Sequence, residues 1–514
     1  MTHQMMLSNP SHDTTPGREV LPDWLGRAAL YHPGRIAIED SLRSWTFAEL
    51  DRRASYLAYQ LLAAGIGVGD RVALLAGNCP AYAVAVHALT RAGAVLVPLN
   101  TRLAESELCW QITDAGASLL IYDEQHAAVT ESIAAHLPQV RQFPLPNEAE
   151  KGEPSPSIMP LRSEIDLAAT QAIMYTSGTT GQPKGVLITY GMHWWNAVGS
   201  LLNLGLEPDD CWIACLPLFH IGGLSILMRS VIYGMRVLVF EHFDADSINE
   251  ALLQGKVSII SVVATMLQRL LSSLEQGSGN GRYPSSLRCV LLGGGPAPRH
   301  LLQECLRRNV PVVQTYGMTE SCSQAVTLAP EDAVRRVGSA GRPLPSVQLR
   351  IVVDGEEVAR GEPGEIMLRG PIVTPGYAGR LAATAAAFQD GWFATGDYGY
   401  LDNEGYLYVL DRRSDLIISG GENVYPAEIE AALLEHPAVV EAGVCGIPSE
   451  RWGQVPLAFV VLRGEQEASR EELLAYLSSR LAHYKIPQEI HFAAGLPRTS
   501  SGKLRRSDLP GLKR

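Results

Sequence analysis

The sequence has 514 residues, of which 46% are hydrophobic and 19% are charged. This length exceeds a single hydrophobic core and this balance excludes a disordered chain, so we expect several domains or subdomains. The formal net charge of -12 argues against a nucleic-acid-binding protein, since the only basic cluster, around Lys503, Arg505 and Arg506, is short.

The N-terminal twenty residues lack the basic start and apolar core of a signal peptide, and no apolar run reaches eighteen residues. The sequence therefore predicts a cytoplasmic protein without a membrane span. Its eight cysteines are scattered and form no CxxC pair. Cys211 and Cys215, close to His220, could be proposed as zinc ligands. Their apolar setting and the lack of a second ligand pair favour an interpretation without metal.

From about residue 20 to 400, short apolar runs alternate with amphipathic segments. Residues 47–65 and 247–255 have helical patterns. The alternation predicts an α/β fold with parallel sheets covered by helices. The runs that predict buried strands are residues 71–77, 94–100, 118–123, 172–177, 236–241, 258–263 and 289–295. Residues 143–161, with five prolines, predict a surface linker, and residues 277–286 predict a flexible loop.

The composition changes near residue 411, where a strand leads into a charged turn, a glycine loop and a helix. Pro426, followed by Glu428 and Glu430, predicts the start of that helix. We predict a large N-terminal domain (1–410), a hinge (411–415) and a small, mobile α+β C-terminal domain (416–514). In the latter, one helix face carries Leu473, Leu474, Leu477 and Leu481.

The stretch MYTSGTTGQPKGV, residues 174–186, has the composition of a phosphate-binding loop. Such a loop needs close backbone amides, hydroxyl donors and a cation, and glycine permits the close approach. It is not a Walker A motif, because Gly185 follows the lysine. A Ser/Gly linker fits poorly because apolar strand residues run directly into the stretch. Its candidate phosphate-binding residues are Thr176, Ser177, Gly178, Thr179, Thr180 and Lys184.

TSGTTGQPKG closely resembles the signature of the acyl-adenylating enzymes, a superfamily that includes acyl-CoA synthetases and peptide-synthetase adenylation domains. The other matching stretches, in the expected order, are PLFH (217–220), GGGPAP (293–298), YGMTE (316–320), TGD (395–397), DRRSDLIISGGENVYPAEIE (411–430) and PRTSSGKLRR (497–506). The resemblance implies an N-terminal domain of packed subdomains and a mobile C-terminal domain. It also implies that a carboxylate attacks the α-phosphate of MgATP and that a thiol then attacks the acyl-adenylate. Neither step needs an enzyme nucleophile, and the chain lacks a GxSxG elbow.

The resemblance implies roles for residues in each stretch. Glu320 would hold Mg²⁺, a hard cation that prefers oxygen ligands, and Thr319 would contact phosphate. Asp397 would accept hydrogen bonds from the ribose hydroxyls, assisted by Arg412; without the resemblance it would be an ordinary turn residue. Tyr316 would stack on adenine, although a tyrosine at a strand end is more often a core residue. The remaining predicted nucleotide contacts are Gly294, Gly295, Pro296, Gly317 and Met318.

The C-terminal domain would contribute to both half-reactions. Lys503 would bridge the substrate carboxylate and the α-phosphate in the first; by itself it would be interpreted as a solvated charge. Gly420 and Gly421 would line a tunnel for the pantetheine arm of CoA in the second. The hinge would lie at residues 413–415. Many relatives have Asp or Lys where this chain has Ser414, which leaves the pivot residue open.

The acid-binding residues are less sharply indicated. His220 would line the acyl pocket and is a catalytic candidate with Lys503 and Thr319; a lone histidine beside an apolar run is otherwise a core residue. Gly222 and Gly223 would leave room for a bulky acid. Trp194 and Trp195 would line the pocket or pack between subdomains. Arg229 is a cation within an apolar helical pattern, so it is either a surface residue or the partner of a second substrate carboxylate.

Nearly the full length is most similar to one branch of the acyl-CoA ligases, whose substrate is an aromatic acid with two carboxylates. The IGG after His220 departs from that branch, where a serine is expected. Two alternatives remain: an aryl- or medium-chain acyl-CoA ligase, and an adenylation enzyme that loads a carrier protein. The remotest alternative is a nucleotide-binding protein without catalytic activity. The predicted partners are ATP, Mg²⁺, CoA and a small acid, and relatives suggest a homodimer.

Overall fold

The structure is a computed structural model that describes residues 19–146, 160–176, 183–276, 281–294, 297, 299–412, 417–424, 426–463, 468–497, 504 and 506–512. Within these ranges, no helix combines the length and apolar character needed to cross a membrane.

The first part of the chain builds strands β1–β10 and helices α1–α5. The strands are Val20–Pro22, Ile36–Glu39, Ser44–Thr46, Arg71–Leu75, Val95–Pro98, Leu119–Tyr122, Arg141–Pro144, Glu164–Asp166, Thr170–Thr176 and Lys184–Thr189. The helices are Trp24–Tyr31, Phe47–Ala63, Pro80–Ala92, Glu105–Ala115 and Ala127–His136.

The middle of the chain builds α6–α11 and β11–β23. The helices are Tyr190–Leu204, Ile221–Tyr233, Ala245–Leu253, Ala264–Gln276, Arg299–Arg307 and Leu381–Ala387. The strands are Cys211–Ala214, Arg236–Val239, Ile259–Val262, Cys289–Leu292, Val312–Tyr316, Val326–Thr327, Arg342–Pro343, Gln348–Val353, Glu356–Glu357, Gly364–Arg369, Phe388–Gln389, Trp392–Leu401 and Leu407–Arg412.

The C-terminal part builds α12 and α13, Pro426–Leu434 and Arg470–Ser478. Its strands β24–β28 are Ile417–Ser419, Glu422–Val424, Val439–Ser449, Gly453–Leu462 and Glu489–Phe492. Short 3₁₀ helices occur at Glu124–His126, Thr319–Ser321, Pro330–Asp332, His483–Lys485 and Arg506–Leu512.

Two large sheets form the centre of the N-terminal domain. One has the strand order β10-β9-β5-β4-β6-β7, and the other β17-β16-β15-β14-β13-β11-β12-β2-β3. Their inner strands run parallel, from β9 to β7 and from β15 to β2. Each side of these strands is covered by helices, which explains why they read as continuous apolar runs. The predicted α/β fold with helix-covered sheets is confirmed.

Helix α3 shows how the sequence builds this packing. Pro80 occupies its first turn, and the cap residue Gly93 has φ +78°, a left-handed conformation that glycine adopts without strain. Every residue of α3 is buried. Helix α2 begins with a capping box, in which the Thr46 side chain accepts from the Glu49 amide and the Glu49 carboxylate accepts from the Thr46 amide. Helices α2 and α3 then pack on each other beside the first large sheet.

A smaller antiparallel sheet of β18–β23 lies between the large sheets and the C-terminal domain along the chain. In it, β22 and β23 pair Asp397 with Arg412. The chain then passes into a five-stranded sheet, β24–β28, which buries its own cluster with α12 and α13. The structure is thus a large N-terminal domain followed by a smaller C-terminal domain, as predicted. The predicted hinge falls largely on residues 413–416, outside the described ranges, and stays a prediction.

The local predictions agree with these elements. The predicted strands correspond to β4, β5, β6, β9, β12, β13 and β14, and the two predicted helices to α2 and α8. Helix α12 begins at Pro426, and α13 buries Leu473 and Leu477. Most of the predicted linker and part of the predicted loop, residues 147–159 and 277–280, lie outside the described ranges.

Candidate active site

A cavity of about 1050 Å³ lies where the two large sheets meet the C-terminal domain. It is reached by the carboxyl ends of parallel strands β5, β13, β14 and β15, the position at which open α/β sheets usually bind ligands. Residues predicted from widely separated stretches line this one cavity. They are Thr176, Lys184, His220, Arg229, Gly294, Gly317, Met318, Thr319, Glu320, Asp397, Gly420 and Gly421.

The ends of the phosphate-loop stretch open into the cavity. Strands β9 and β10 are antiparallel, and Thr176 and Lys184 face each other across the base of the loop. The Lys184 ammonium lies 5.3 Å from the centre of the Tyr377 ring. The remaining predicted residues of the loop, Ser177, Gly178, Thr179 and Thr180, lie outside the described ranges. The described part therefore presents a hydroxyl and a cation to the cavity.

The turn after β15 brings Thr319 and Glu320 to the same wall. A Cβ at Gly317 would lie 1.6 Å from the Ser323 carbonyl oxygen, so only glycine fits there. Ser323 itself has φ +91°, which allows the chain to fold back tightly. The Glu320 Oε1 atom accepts a hydrogen bond of 3.2 Å from the Tyr377 hydroxyl.

This carboxylate fits the predicted magnesium site, since Mg²⁺ takes oxygen ligands and is usually held by one or two carboxylates plus substrate phosphates. The described residues contain no cluster of three or more His, Cys, Asp or Glu side chains suited to a metal. Cys211 and Cys215 are buried, and burial raises the pKa of their thiols to about 11 and about 12.

Asp397 and Tyr316 meet on the nucleotide side of the cavity. The Tyr316 hydroxyl donates a 2.9 Å hydrogen bond to Asp397 Oδ2, and Asp397 is 6% exposed. Tyr316 is itself buried behind the wall, so this contact orients the carboxylate, while stacking of its ring on adenine stays a prediction. Gly294 lines the cavity with φ +78°; Gly295 and Pro296 lie outside the described ranges. Arg412 is placed opposite Asp397 by its backbone.

In the part of the cavity that is predicted to bind the acid, here called the acyl end, Arg229 on α7 is only 2% exposed, so the interpretation of Arg229 as a surface residue is wrong. Helix α7 packs against α1 and α6, which encloses the guanidinium. That group donates to Asn196 Oδ1 at 2.6 Å and to Ser225 Oγ at 3.2 Å, and lies 5.2 Å from the Trp212 ring centre. Its buried Nε has no hydrogen-bond partner among the described residues. Burial lowers the pKa of this guanidinium.

The neighbours of Arg229 are neutral. His193 is buried, and burial together with Arg229 lowers the pKa of its imidazole to about 3. Burial also raises the pKa of the Cys322 thiol to about 12. No carboxylate occurs among the described hydrogen-bond partners of Arg229. The acyl end of the cavity thus holds a buried positive charge that no described side chain neutralises.

The predictions for His220, Gly222 and Gly223 have different outcomes. The His220 Nε2 atom lies 2.9 Å from Glu422 Oε2, and His220 lines the cavity as predicted. Gly222 also lines it, but Gly223 does not. A Cβ at Gly223 would lie 2.3 Å from the Pro217 carbonyl oxygen, so this glycine allows α7 to approach the preceding turn. The prediction that Gly223 contacts the substrate is therefore corrected to a packing role.

The tryptophans 194 and 195 are absent from the cavity wall formed by the described residues. Trp194 stacks on Trp24 with ring centres 6.1 Å apart, and Trp195 packs on the cluster that contains Tyr316. Trp194 therefore packs within the cluster that contains Trp24, and Trp195 packs against a second cluster, which favours the packing interpretation over a place in the acyl pocket.

Sequence reasoning missed the charged residues at the junction of the domains. Glu422 lines the cavity, and its Oε1 accepts a hydrogen bond of 2.7 Å from Arg102 of the N-terminal domain. Lys485 also lines it and contacts Glu107 at 2.8 Å and Glu428 at 2.7 Å. Burial alone would lower the pKa of the Lys485 ammonium, but Glu428, Tyr484 and Glu107 outweigh it and raise that pKa. In the sequence, Lys485 can be recognised as a cation within the apolar stretch LAHYKIP. Arg229 is recognisable in the same way, as a cation within an apolar helical pattern.

Residues 25–378 match the family described as AMP-binding enzyme, and residues 428–503 match the AMP-binding enzyme C-terminal domain. A 2-succinylbenzoate–CoA ligase from Geobacillus kaustophilus (strain HTA426) is 51% identical over 500 residues, covering 96% of this chain and 98% of that protein.

Two solved structures of an o-succinylbenzoate CoA synthetase from Bacillus subtilis are 45% identical and cover 96% of this chain. A double mutant bound to its product analogue OSB-NCoA gives a TM-score of 0.90, with 99% of that chain covered. The complex with ATP and a magnesium ion gives a TM-score of 0.73, with 100% of that chain covered.

Proposed function

The chain belongs to the AMP-binding enzyme family, and from this membership we propose that it is an AMP-forming acid–thiol ligase that joins 2-succinylbenzoate to CoA. The products would be 2-succinylbenzoyl-CoA, AMP and pyrophosphate, which is the reaction of menaquinone biosynthesis carried by such ligases. The observation that carries the choice of acid is the buried Arg229, in a cavity that the predicted nucleotide-binding residues also line. A substrate with two carboxylates uses one for the reaction and one to neutralise this charge.

In the first half-reaction, an oxygen of the succinyl carboxylate bonds to the α-phosphorus of ATP and pyrophosphate leaves. Lys184 and the hydroxyl of Thr319 supply a cation and a donor toward the phosphates, and Asp397, oriented by Tyr316, accepts from the ribose. Glu320 is the residue that would hold magnesium, which neutralises charge on the phosphates when bound. Lys503, which lies outside the described ranges, is proposed to bridge the carboxylate and the α-phosphate.

In the second half-reaction, the CoA sulfur bonds to the acyl carbon, the acyl carbon–oxygen bond to phosphate breaks and AMP leaves, while the thiol proton goes to water. Gly420 and Gly421 lie in the cavity wall, where side chains larger than hydrogen would narrow the approach of the pantetheine arm. A Cβ at Gly420 would also lie 2.8 Å from the Trp452 ring. We propose that a hinge within residues 411–415 moves the C-terminal domain between the two steps.

Recognition of the second carboxylate is supported by the chemistry around Arg229. A guanidinium suits a carboxylate because its planar fork donates two parallel hydrogen bonds. Asn196 and Ser225 hold it in place, and the neutral His193 adds no competing charge. A buried cation without an ionic partner is unfavourable in the free enzyme, so a substrate carboxylate that completes the pair gains from this arrangement.

Pyrophosphate release with ATP, Mg²⁺ and CoA, measured for 2-succinylbenzoate, benzoate and octanoate, tests this proposal. A preference for 2-succinylbenzoate of at least about a hundredfold in kcat/KM, about 2.7 kcal/mol, is expected. Turnover of benzoate or octanoate instead would favour a ligase of other specificity. Pyrophosphate release without a CoA thioester would favour the carrier-loading alternative.

Lys503→Ala serves as the matched control in the same assay. Its pyrophosphate release should fall with every acid, because the proposed role of Lys503 concerns phosphorus chemistry and not recognition of the acid. The homodimer and the cytoplasmic location predicted from the sequence stay predictions.

A further inference from the structure

The described hydrogen bonds between the two domains include several from one short N-terminal segment, residues 100–107, here called the docking segment. Asn100 Nδ2 donates to the Tyr484 hydroxyl at 3.1 Å, and Arg102 donates to Glu422 at 2.7 Å. Glu107 accepts from Lys485 Nζ at 2.8 Å. The segment runs from the end of β5 into α4, so it is anchored in the first large sheet. The C-terminal domain therefore docks on a rigid part of the N-terminal domain.

Lys485 differs from the other residues that join the two domains. It is only 3% exposed, and it has a carboxylate partner on each domain. Glu107 belongs to α4 of the N-terminal domain, and Glu428 belongs to α12 of the C-terminal domain. Lys485 and Glu428 remain together whatever the orientation of the domains. The contact with Glu107 exists only when the C-terminal domain is docked in this orientation.

A buried ion pair of this kind specifies geometry more than it adds stability. Removing charges from water costs about as much as their mutual attraction returns, so the net contribution to stability is small. An arrangement in which one buried charge loses its partner is strongly disfavoured. The Glu107–Lys485–Glu428 bridge therefore discriminates against docked arrangements in which Glu107 and Lys485 do not meet.

The orientation that contains the bridge resembles one state of the Bacillus subtilis synthetase more closely than another. The TM-score is 0.90 with the complex of the product analogue and 0.73 with the complex of ATP and magnesium, although the identity is 45% in both. In the same orientation, Gly420, Gly421 and Glu422 of the C-terminal domain line the cavity. The bridge is thus present in an arrangement that resembles the complex with the product analogue.

We propose that Lys485 is a positioning residue, and that its bridge to Glu107 is a latch that holds the C-terminal domain in place for thioester formation and is not used in adenylation. This inference rests on the proposed function, because it assigns the latch to the second of the two proposed half-reactions. Lys485 acts through the position of Gly420 and Gly421 and performs no bond chemistry itself.

The test uses the full-length variant Glu107→Gln, which keeps the shape of the side chain and leaves the Lys485–Glu428 pair intact. Adenylation is measured without CoA, as pyrophosphate released while hydroxylamine traps the acyl-adenylate. Thioester formation is measured in a single turnover, by mixing CoA rapidly with enzyme that holds the acyl-adenylate. We expect the thioester rate to fall at least tenfold and the adenylation rate to stay within twofold of the wild type.

Glu105→Gln is the matched control, since Glu105 lies on the same helix and accepts from Ser132 within the N-terminal domain. It should change neither half-reaction. An unchanged thioester rate in Glu107→Gln, or an equal fall in both half-reactions, would overturn the latch. If the wild type adenylates another acid but not 2-succinylbenzoate, the proposed substrate is wrong, and the latch is measured with the accepted acid.

Discussion

Two buried cations, Arg229 at the acyl end of the cavity and Lys485 at the domain junction, differ in the partners that surround them. Both are at most 3% exposed, and both line the same cavity. Lys485 contacts two carboxylates, one from each domain. Arg229 contacts an amide, a hydroxyl and an aromatic ring, and one of its nitrogens has no partner among the described residues.

This difference teaches how to interpret a buried charge. A cation that is neutralised by carboxylates of the protein has its function inside the protein, here in joining two domains. A cation whose described partners are all neutral leaves its charge for a ligand, because a buried charge without an ionic partner is unfavourable. In the two proposals made above, the same residue class serves substrate recognition at one position in the cavity and domain geometry at another.

The largest effect is expected from Arg229→Met. We expect kcat/KM for 2-succinylbenzoate to fall about a thousandfold, or about 4 kcal/mol, because the second carboxylate would be buried without its partner. Any turnover of benzoate should change little, since benzoate has no second carboxylate. The measurement is pyrophosphate release for both acids with saturating ATP.

Arg236→Met provides the comparison for this variant. Arg236 also lies in the N-terminal domain but pairs with Glu39 at 3.2 Å at the start of β12, and it is not among the residues that line the cavity. It should leave kcat/KM for both acids unchanged. A loss in Arg229→Met that is equal for benzoate and 2-succinylbenzoate would mean that Arg229 supports the fold and does not recognise the acid.

The next largest effect concerns stability, and here the Lys485 variant should lose more than the Arg229 variant. Lys485→Met should lower the free energy of unfolding by about 3 kcal/mol, because Glu428 would keep a buried charge without its cation. One oxygen of Glu428 already has no hydrogen-bond partner among the described residues. Arg229→Met should lower the free energy of unfolding less, by about 1 kcal/mol, since the buried Asn196 amide oxygen loses a donor but no described carboxylate depends on Arg229. Urea unfolding measures both.

The double variant Lys485→Met with Glu428→Gln tests the reason given. If the lost stability comes from the uncompensated carboxylate, removing that charge should recover most of it, and the two substitutions would be strongly coupled. Additive losses would show instead that the lysine stem contributes by packing.

Much of the fold could be predicted because its signals are local. Continuous apolar strands such as residues 71–77 need only two covered faces, and the start of α12 needs only Pro426 and the acidic residues after it. Those acids illustrate the limit. The sequence alone indicates that Glu428 and Glu430 are favourable charges at a helix start. In the structure they also bind Lys485 and Arg506, which lie 57 and 76 residues away in the sequence.

The site was predictable where one stretch carries several chemical groups, as in the residues from Gly317 to Glu320. It was not predictable where two distant residues supply one group each. Glu107 and Lys485 are ordinary charges in their own segments, and only the docking of the domains brings them to 2.8 Å. Gly223 shows the same limit, because the nearby Pro217 carbonyl, and not a ligand, requires that glycine.

The smallest predicted effect uses pH to test the neutral surroundings of Arg229. The pKa of His193 is lowered to about 3 in the folded protein, while an unfolded histidine titrates near its ordinary value of 6.5. Between about pH 3 and pH 6.5, the unfolded chain binds one more proton than the folded protein, because His193 is protonated only in the unfolded chain. The free energy of unfolding therefore falls as the pH falls. Lowering the pH from 7 to 5 should cost about 2 kcal/mol from this residue. Urea unfolding of wild type and His193→Asn at both pH values measures it.

The difference in this loss of unfolding free energy between the wild type and His193→Asn isolates the contribution of His193. The carboxylates and the buried His87 titrate in both proteins, so their contributions cancel. His193→Asn should lose about 2 kcal/mol less than the wild type over this range. The reason lies in its contacts: Nε2 lies 3.2 Å from Gln171 Oε1, and Nδ1 lies 3.5 Å from the Cys322 thiol. A neutral ring satisfies both, donating to the amide and accepting from the thiol, whereas a second proton would face Arg229 in a buried site. Equal losses in the two proteins would mean that His193 carries a charge in the folded state, and Arg229 would then not be the sole positive group awaiting the second carboxylate.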